Sequence, residues 1–122
     1  MIFITVGNSS HDTLMEAMDK LSERVAEAFI CQIGRGKYRP KHARWFRWEP
    51  FIPNYCQRAR LVVYYGDKET LMSLTEQGIK PIVAEPTMGD MDAVAKLSGE
   101  GKIELCKSVR STVRKVKECV EV

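Results

Sequence analysis

Three short apolar runs, each closed by a glycine, constrain this chain more than any other feature. "IFITV" (2–6) stops at Gly7, "AFICQI" (28–33) at Gly34, and "LVVYY" (61–65) at Gly66. Runs of this length, rich in β-branched and aromatic residues, are the pattern of buried strands ending in turns. Elsewhere the apolar residues recur at helical spacing. Leu14, Met18, Leu21 and Val25 follow Asn8, Ser9 and Ser10, which are good helix-capping types. "ETLMSLTEQ" (69–77) predicts a helix stopped by Gly78, and "GDMDAVAKL" (89–97) a helix capped by Asp90. "KPIVAEP" (80–86) and "KIELC" (102–106) predict two further strands, followed by a basic helix over 108–118. Between them, "RGKYRPKHA" (35–43) reads as a polar loop and "RWFRWEPFI" (44–52) as an aromatic strand interrupted near Pro50. "PNYCQRA" (53–59) predicts one or two helical turns with Pro53 at the first helical position.

Strands alternating with helices predict an α/β fold: one Rossmann-like domain over 1–122, with a mostly parallel sheet flanked by helices. In open sheets of this kind a ligand lies beyond the carboxyl ends of the strands, where strand order reverses. The candidate site is thereby confined to the loops after residues 6, 33, 50, 65 and 85.

Bulk properties narrow the chemistry. No stretch approaches the ~20 apolar residues of a membrane span. The N-terminus has no basic n-region, so it reads as a first strand and not as a signal peptide. Cys31, Cys56, Cys106 and Cys119 are far apart, which predicts reduced thiols and a cytoplasmic setting. His11 and His42 do not complete a ligand set with them, so no metal is expected. The net charge of +3 is unevenly placed. Arg35, Lys37, Arg39, Lys41, Arg44, Arg47, Arg58 and Arg60 share a span whose only acid is Glu49. A second basic group, Lys107, Arg110, Arg114, Lys115 and Lys117, lies near the C-terminus. Both point to an anionic partner: phosphate, nucleic acid or a lipid surface.

"MIFITVG", "FICQIGRGKYRPK", "WEPFIPNYCQRARLVVYYG" and "GIKPIVAEP" together resemble successive blocks of the glycosyltransferase family 28 C-terminal domain, the donor-binding half of GT-B enzymes. The likeness spans nearly the whole chain. It is similar in particular to the stand-alone soluble subunit of two-subunit UDP-N-acetylglucosamine and exopolysaccharide transferases. The resemblance implies a UDP-sugar substrate, no cofactor, and transfer of a hexose or N-acetylhexosamine to a lipid-linked acceptor. It also implies a membrane-associated, acceptor-binding partner subunit, or else a homo-oligomer, at the cytoplasmic face of the membrane.

Carried over by position, the resemblance implies donor contacts from Gly7, Asn8 and Ser9 in the first loop. Phe51 and Ile52 would lie against the base, and Tyr65, Gly66, Lys68, Thr70 and Ser73 would form the diphosphate turn and ribose contact. The family turn reads His-Gly-Gly-x-Gly-Thr, whereas this chain has Tyr65, Gly66, Asp67, Lys68, Glu69 and Thr70. Two carboxylates stand where glycines allow a phosphate to approach. Ser73 replaces the ribose glutamate, Met91 falls near the usual donor glutamine, and the first loop is shorter.

Each feature also has a structural reading. Asp67 and Glu69 suit a helix cap and a first-turn acid. His11 is a candidate general base, or an exposed histidine beside a cap made by Ser9 or Ser10. The basic stretch 35–48, with Tyr38, Trp45, Phe46 and Trp48, could hold a nucleic-acid strand; alternation between core and a partner-facing surface is the favoured reading. The C-terminal helix sets Val109, Val113, Val116 and Val120 on one stripe. Core packing is its default, and docking to a membrane-bound subunit or lipid headgroups the sharper alternative. A non-catalytic descendant of the transferase domain remains open beside the enzyme.

Overall fold

The computed structural model describes residues 1–48, 52–86 and 91–120. Its elements are β1 (Ile2–Thr5), α1 (Asp12–Arg24), β2 (Phe29–Gln32), β3 (Arg44–Phe46), α2 (Ile52–Arg58) and β4 (Leu61–Tyr64). They continue with α3 (Lys68–Glu76), β5 (Ile82–Ala84), α4 (Met91–Gly99), β6 (Glu104–Cys106) and α5 (Val109–Val120). The six strands form one sheet in the order β3-β2-β1-β4-β5-β6, and every pair is parallel. The α/β, Rossmann-like expectation holds, with a sheet that is parallel throughout.

The continuous apolar runs are explained by burial on both faces. Ile2, Ile4 and Val63 pack on one side with Leu14, Met15 and Met18 of α1 and Val116 of α5. Phe3, Val62 and Tyr64 pack on the other with Cys56 of α2, Leu71 and Leu74 of α3, and Val94 and Leu97 of α4. Period-two alternation along each strand therefore sorts every side chain toward α1/α5 or toward α2/α3/α4.

The connection from β2 to β3 has no helix. It is held instead by two carboxylates of α1. Asp12 Oδ1 accepts from the Lys37 and Tyr38 amides at 2.9 and 3.1 Å. Asp19, only 1% exposed, accepts from the Tyr38 hydroxyl (2.6 Å) and from the amides of Lys41, His42 and Ala43 at 2.8–2.9 Å. Burial works against the charged form of Asp19. The hydrogen bonds outweigh it and hold the carboxyl below its ordinary value. The polar loop is thus a fixed strap whose amides turn inward and whose Arg35, Lys37, Arg39 and Lys41 side chains turn out to solvent.

Some boundaries differ from expectation. The aromatic strand is only Arg44–Phe46, because Arg47 leaves the sheet and bonds back to the Gly34 and Gly36 carbonyls at 3.1 and 2.7 Å. Pro53 is the second residue of α2, not the first. The expected interruption at Pro50 and cap at Asp90 lie outside the described residues. Val25 is the C-cap of α1 and not a member of the helix. The four cysteines are free thiols. Among the described residues, no helix is long and apolar enough to cross a membrane.

Candidate functional site

Strand order reverses between β1 and β4, so the crevice of this sheet opens where the β1–α1 and β4–α3 loops diverge. On the α2/α3 side of that point lies a cleft of about 240 Å³. Thr5 and Tyr64 form its floor, Gly7 and Asn8 one wall, and Trp48, Ile52 and Cys56 another. Thr70 and Ser73 of α3 and its C-cap Gln77 close it, following one another at helical spacing. None of the lining side chains carries a charge. Of the residues assigned to donor binding, the fold brings Gly7, Asn8, Ile52, Thr70 and Ser73 to this cleft.

The others lie elsewhere. Gly66 and Lys68 border a small void next to it, together with Tyr64, Leu71 and Val94. Tyr65 points to the α1 side of the sheet, its ring edge-on to His11 at 4.6 Å. Ser9 takes part through its backbone, its amide donating to Val6 O and its carbonyl accepting from Arg35 N. Phe51 lies outside the described residues.

The glycine turn is shaped by the fold itself. A Cβ on Gly66 would fall 2.5 Å from the hydroxyl oxygen of Tyr64, whose ring fills the space beneath the turn. That hydroxyl donates to Asp67 O at 2.8 Å. Asp67 is the N-cap of α3, its carboxylate accepting from Thr70 N at 2.7 Å. The helix N–H that a phosphate would seek already has an anionic partner.

His11 is likewise a cap. Its Nδ1 accepts from Leu14 N at 3.2 Å, so His11 starts α1 in place of the expected Ser9 or Ser10. In the neutral ring this leaves the proton on Nε2, which faces Glu85 Oε1 at 3.5 Å. The side chain is 13% exposed, where an exposed histidine was the alternative expectation. The Nδ1 lone pair is thereby taken up by the Leu14 amide, and a general base acting at that atom would have to give up the cap. Glu85 also accepts from Val109 N (3.2 Å), at the start of α5. It is the non-glycine residue with positive φ (42°) among those described, a costly backbone state.

Sequence reasoning missed the residue that organises the cleft. Gln32 is fully buried, and its Oε1 accepts from Thr5 Oγ1 (2.6 Å), Val6 N (3.1 Å) and Gly7 N (2.8 Å). Its Nε2 donates to Gly7 O (2.9 Å) and Arg47 O (2.6 Å). One amide therefore ties the Gly7–Asn8 wall to the chain leading to Trp48. A lone glutamine within the apolar run "FICQIG" was the available signal, because a buried polar group must find partners. Gly34 lets the two loops meet: a Cβ there would lie 2.3 Å from Ser9 O.

A separate groove of about 380 Å³ runs between the C-terminal half of α1 and the middle of α5, lined by Leu21, Val25 and Val113. Among the described residues, no group of three His, Cys, Asp or Glu side chains is placed to hold a metal ion. No family model, curated protein or solved structure matches the chain.

Proposed function

We propose that this protein is a glycosyltransferase-like subunit that binds a UDP-sugar at the β1/β4 crevice. With a membrane-associated partner it would transfer a hexose or N-acetylhexosamine to a lipid-linked acceptor. The observation that carries this reading is the uncharged cleft at the switch point, where Gly7, Asn8, Ile52, Thr70 and Ser73 meet beside Trp48. Hydroxyl and amide side chains beside an indole face suit a ring that stacks and carries hydroxyls. The cleft is smaller than the roughly 300–1,000 Å³ of drug-sized sites. It fits a nucleoside-sized part, with the remainder of the donor across the rim toward Lys68. There the ammonium would offset charge on the departing diphosphate.

A second reading, a non-catalytic descendant that binds a nucleoside-like ligand or a partner, is favoured by Asp67. Its carboxylate occupies the anion position of α3. At about 5 Å, a unit charge opposes a phosphate by roughly 1–3 kcal/mol for effective dielectric constants of 80 to 20.

Fluorescence titration of the two tryptophans with uridine, UDP and UDP-N-acetylglucosamine tests both readings. Saturable quenching that disappears in Trp48→Phe supports the site. No change at millimolar ligand, with or without magnesium, sinks it. Asp67→Gly removes the charge while costing only a few tenths of a kcal/mol of capping. For a diphosphate binder it raises affinity for UDP about tenfold and leaves uridine unchanged. Equal effects on both ligands favour the second reading.

A further inference from the structure

β3 is an edge of the sheet, with β2 as its strand neighbour. Phe46 O accepts from Ile33 N at 2.9 Å, so Phe46 is a residue whose backbone faces β2. The alternation of a parallel ladder then turns the Trp45 amide and carbonyl outward, to the open edge. Edge strands carry a row of unpaired groups that can template a further strand.

The side chains around this edge are sorted on two faces. Trp45 is in register with Cys31, whose side chain belongs to the α1-side core, and it is 38% exposed. Phe46 packs on the opposite face against Phe3 and Tyr55, and Trp48, 56% exposed, lines the cleft on that same side. On the α1 face the strap held by Asp12 and Asp19 leads directly into β3 and presents Lys37, Arg39 and Lys41. Among the described residues, none of these three, nor Arg44, has a carboxylate within ion-pair distance.

We propose that the β3 edge receives an extended, acidic, amphipathic segment of a partner protein as a seventh strand. Its acids would face Lys37, Arg39 and Lys41, and its apolar side chains would lie beside Phe46 and Trp48. Three observations select this occupant. The outer edge of β3, which no described strand pairs, offers main-chain pairing, which only a polypeptide can use. The exposed indoles lie on opposite faces, whereas a single nucleic-acid strand or a membrane surface would need them on one. These cations, which no described carboxylate pairs, oppose pairing of this edge with a second copy of itself and favour a partner of opposite charge. The β3 edge and its cations are separate from the β1/β4 cleft, and Trp48 is the residue common to both.

The test uses a short peptide of alternating Glu and Val, a control of the same composition with the glutamates in one block, and a deoxythymidine oligonucleotide. Tryptophan fluorescence follows binding, and hydrogen exchange follows the Trp45 amide. The alternating peptide is expected to bind and to slow exchange at Trp45. Lys41→Glu is expected to weaken it roughly fivefold, the scale of an exposed ion pair. Trp45→Pro, which removes the edge N–H, is expected to abolish it. Should that variant fail to fold, the amide protection and the charge reversal decide on their own. The proposal is overturned by equal binding of the blocked control, by binding without protection of Trp45, or by preference for the oligonucleotide. Absence of binding to any probe at millimolar concentration also overturns it, leaving the cations as guards against edge-to-edge aggregation.

Discussion

Gln32→Glu is an isosteric change that puts the organisation of the crevice to a quantitative test. The three donors on Oε1, from Thr5, Val6 and Gly7, could still be accepted. The other oxygen, however, would face the carbonyls of Gly7 and Arg47 at 2.9 and 2.6 Å, where an N–H₂ now donates. At a position with no solvent exposure, a carboxylate against two carbonyls is driven to take up a proton. Neutralising a glutamate at pH 7 costs about 3.7 kcal/mol, at 1.36 kcal/mol for each unit above its reference value near 4.3. The protonated group has one donor for two carbonyls, so one lost hydrogen bond adds about 1 kcal/mol. The expected cost is therefore about 4–5 kcal/mol at pH 7.

The sign of the pH dependence follows from the raised pKa of the new carboxyl. Its contribution is intact below the unfolded value near 4.3 and is lost as pH rises through the folded value. The gap between wild type and variant should narrow to about 1 kcal/mol near pH 4. Urea unfolding of both proteins at pH 4, 5.5 and 7 measures it. A gap below 1 kcal/mol at pH 7, or one that does not change with pH, would falsify the placement of Gln32 as the donor to both loops.

Asp19→Asn should cost about 3 kcal/mol at pH 7, because an amide cannot accept from all four donors. Since the folded carboxyl lies below its ordinary value, that advantage is present above about pH 4 and fades as pH falls through the lowered value. Unfolding curves for wild type and variant should therefore converge in acid, and a gap of equal size at pH 7 and pH 2.5 contradicts the role. His11→Ala should remove about 1 kcal/mol of α1 capping, and His11→Asn should restore most of it in the same assay. Burial, then the charge of Asp19, pushes the Cys31 thiol up to about 12, and burial pushes Cys56 up to about 11. A disulfide reagent at pH 8 should label the half-buried Cys119 first in the native protein, with Cys31 and Cys56 labelled only on unfolding, as read by mass spectrometry.

The elements most legible in the sequence were those whose burial is symmetric. β1, β2 and β4 are covered on both faces, so their apolar runs and closing glycines are local signals of a global fact. β3 was read too long because its aromatic residues reflect an edge position, and its true end is set by the distant carbonyls that capture Arg47. The same limit applies to Asp19 and Gln32. Gln32 is one polar residue in an apolar run and Asp19 one acid among several on α1, and the meaning of each depends on partners more than ten residues away. His11 was misjudged for a local reason: Ser9 and Ser10 are better caps by type, but Ser9 is drawn into bonds with Val6 and Arg35.

The turn after β4 has the strand–glycine–helix frame of a phosphate-binding turn, but the chain itself fills it. In a phosphate-binding turn, glycines leave room above the backbone and the helix N–H groups are left for the ligand. Here the Tyr64 hydroxyl fills the space beneath Gly66, and Asp67 holds the Thr70 amide. Both features therefore stabilise the fold without a ligand. What stays open at the crevice is the uncharged wall of Asn8, Thr70 and Ser73 beside Trp48. Hydrogen bonds and stacking at such a wall depend on the shape and hydroxyl pattern of a ring more than on its charge. A ligand at such a wall would be selected by its ring and hydroxyls, with any phosphate merely tolerated, the reverse of the balance that a glycine-rich turn confers.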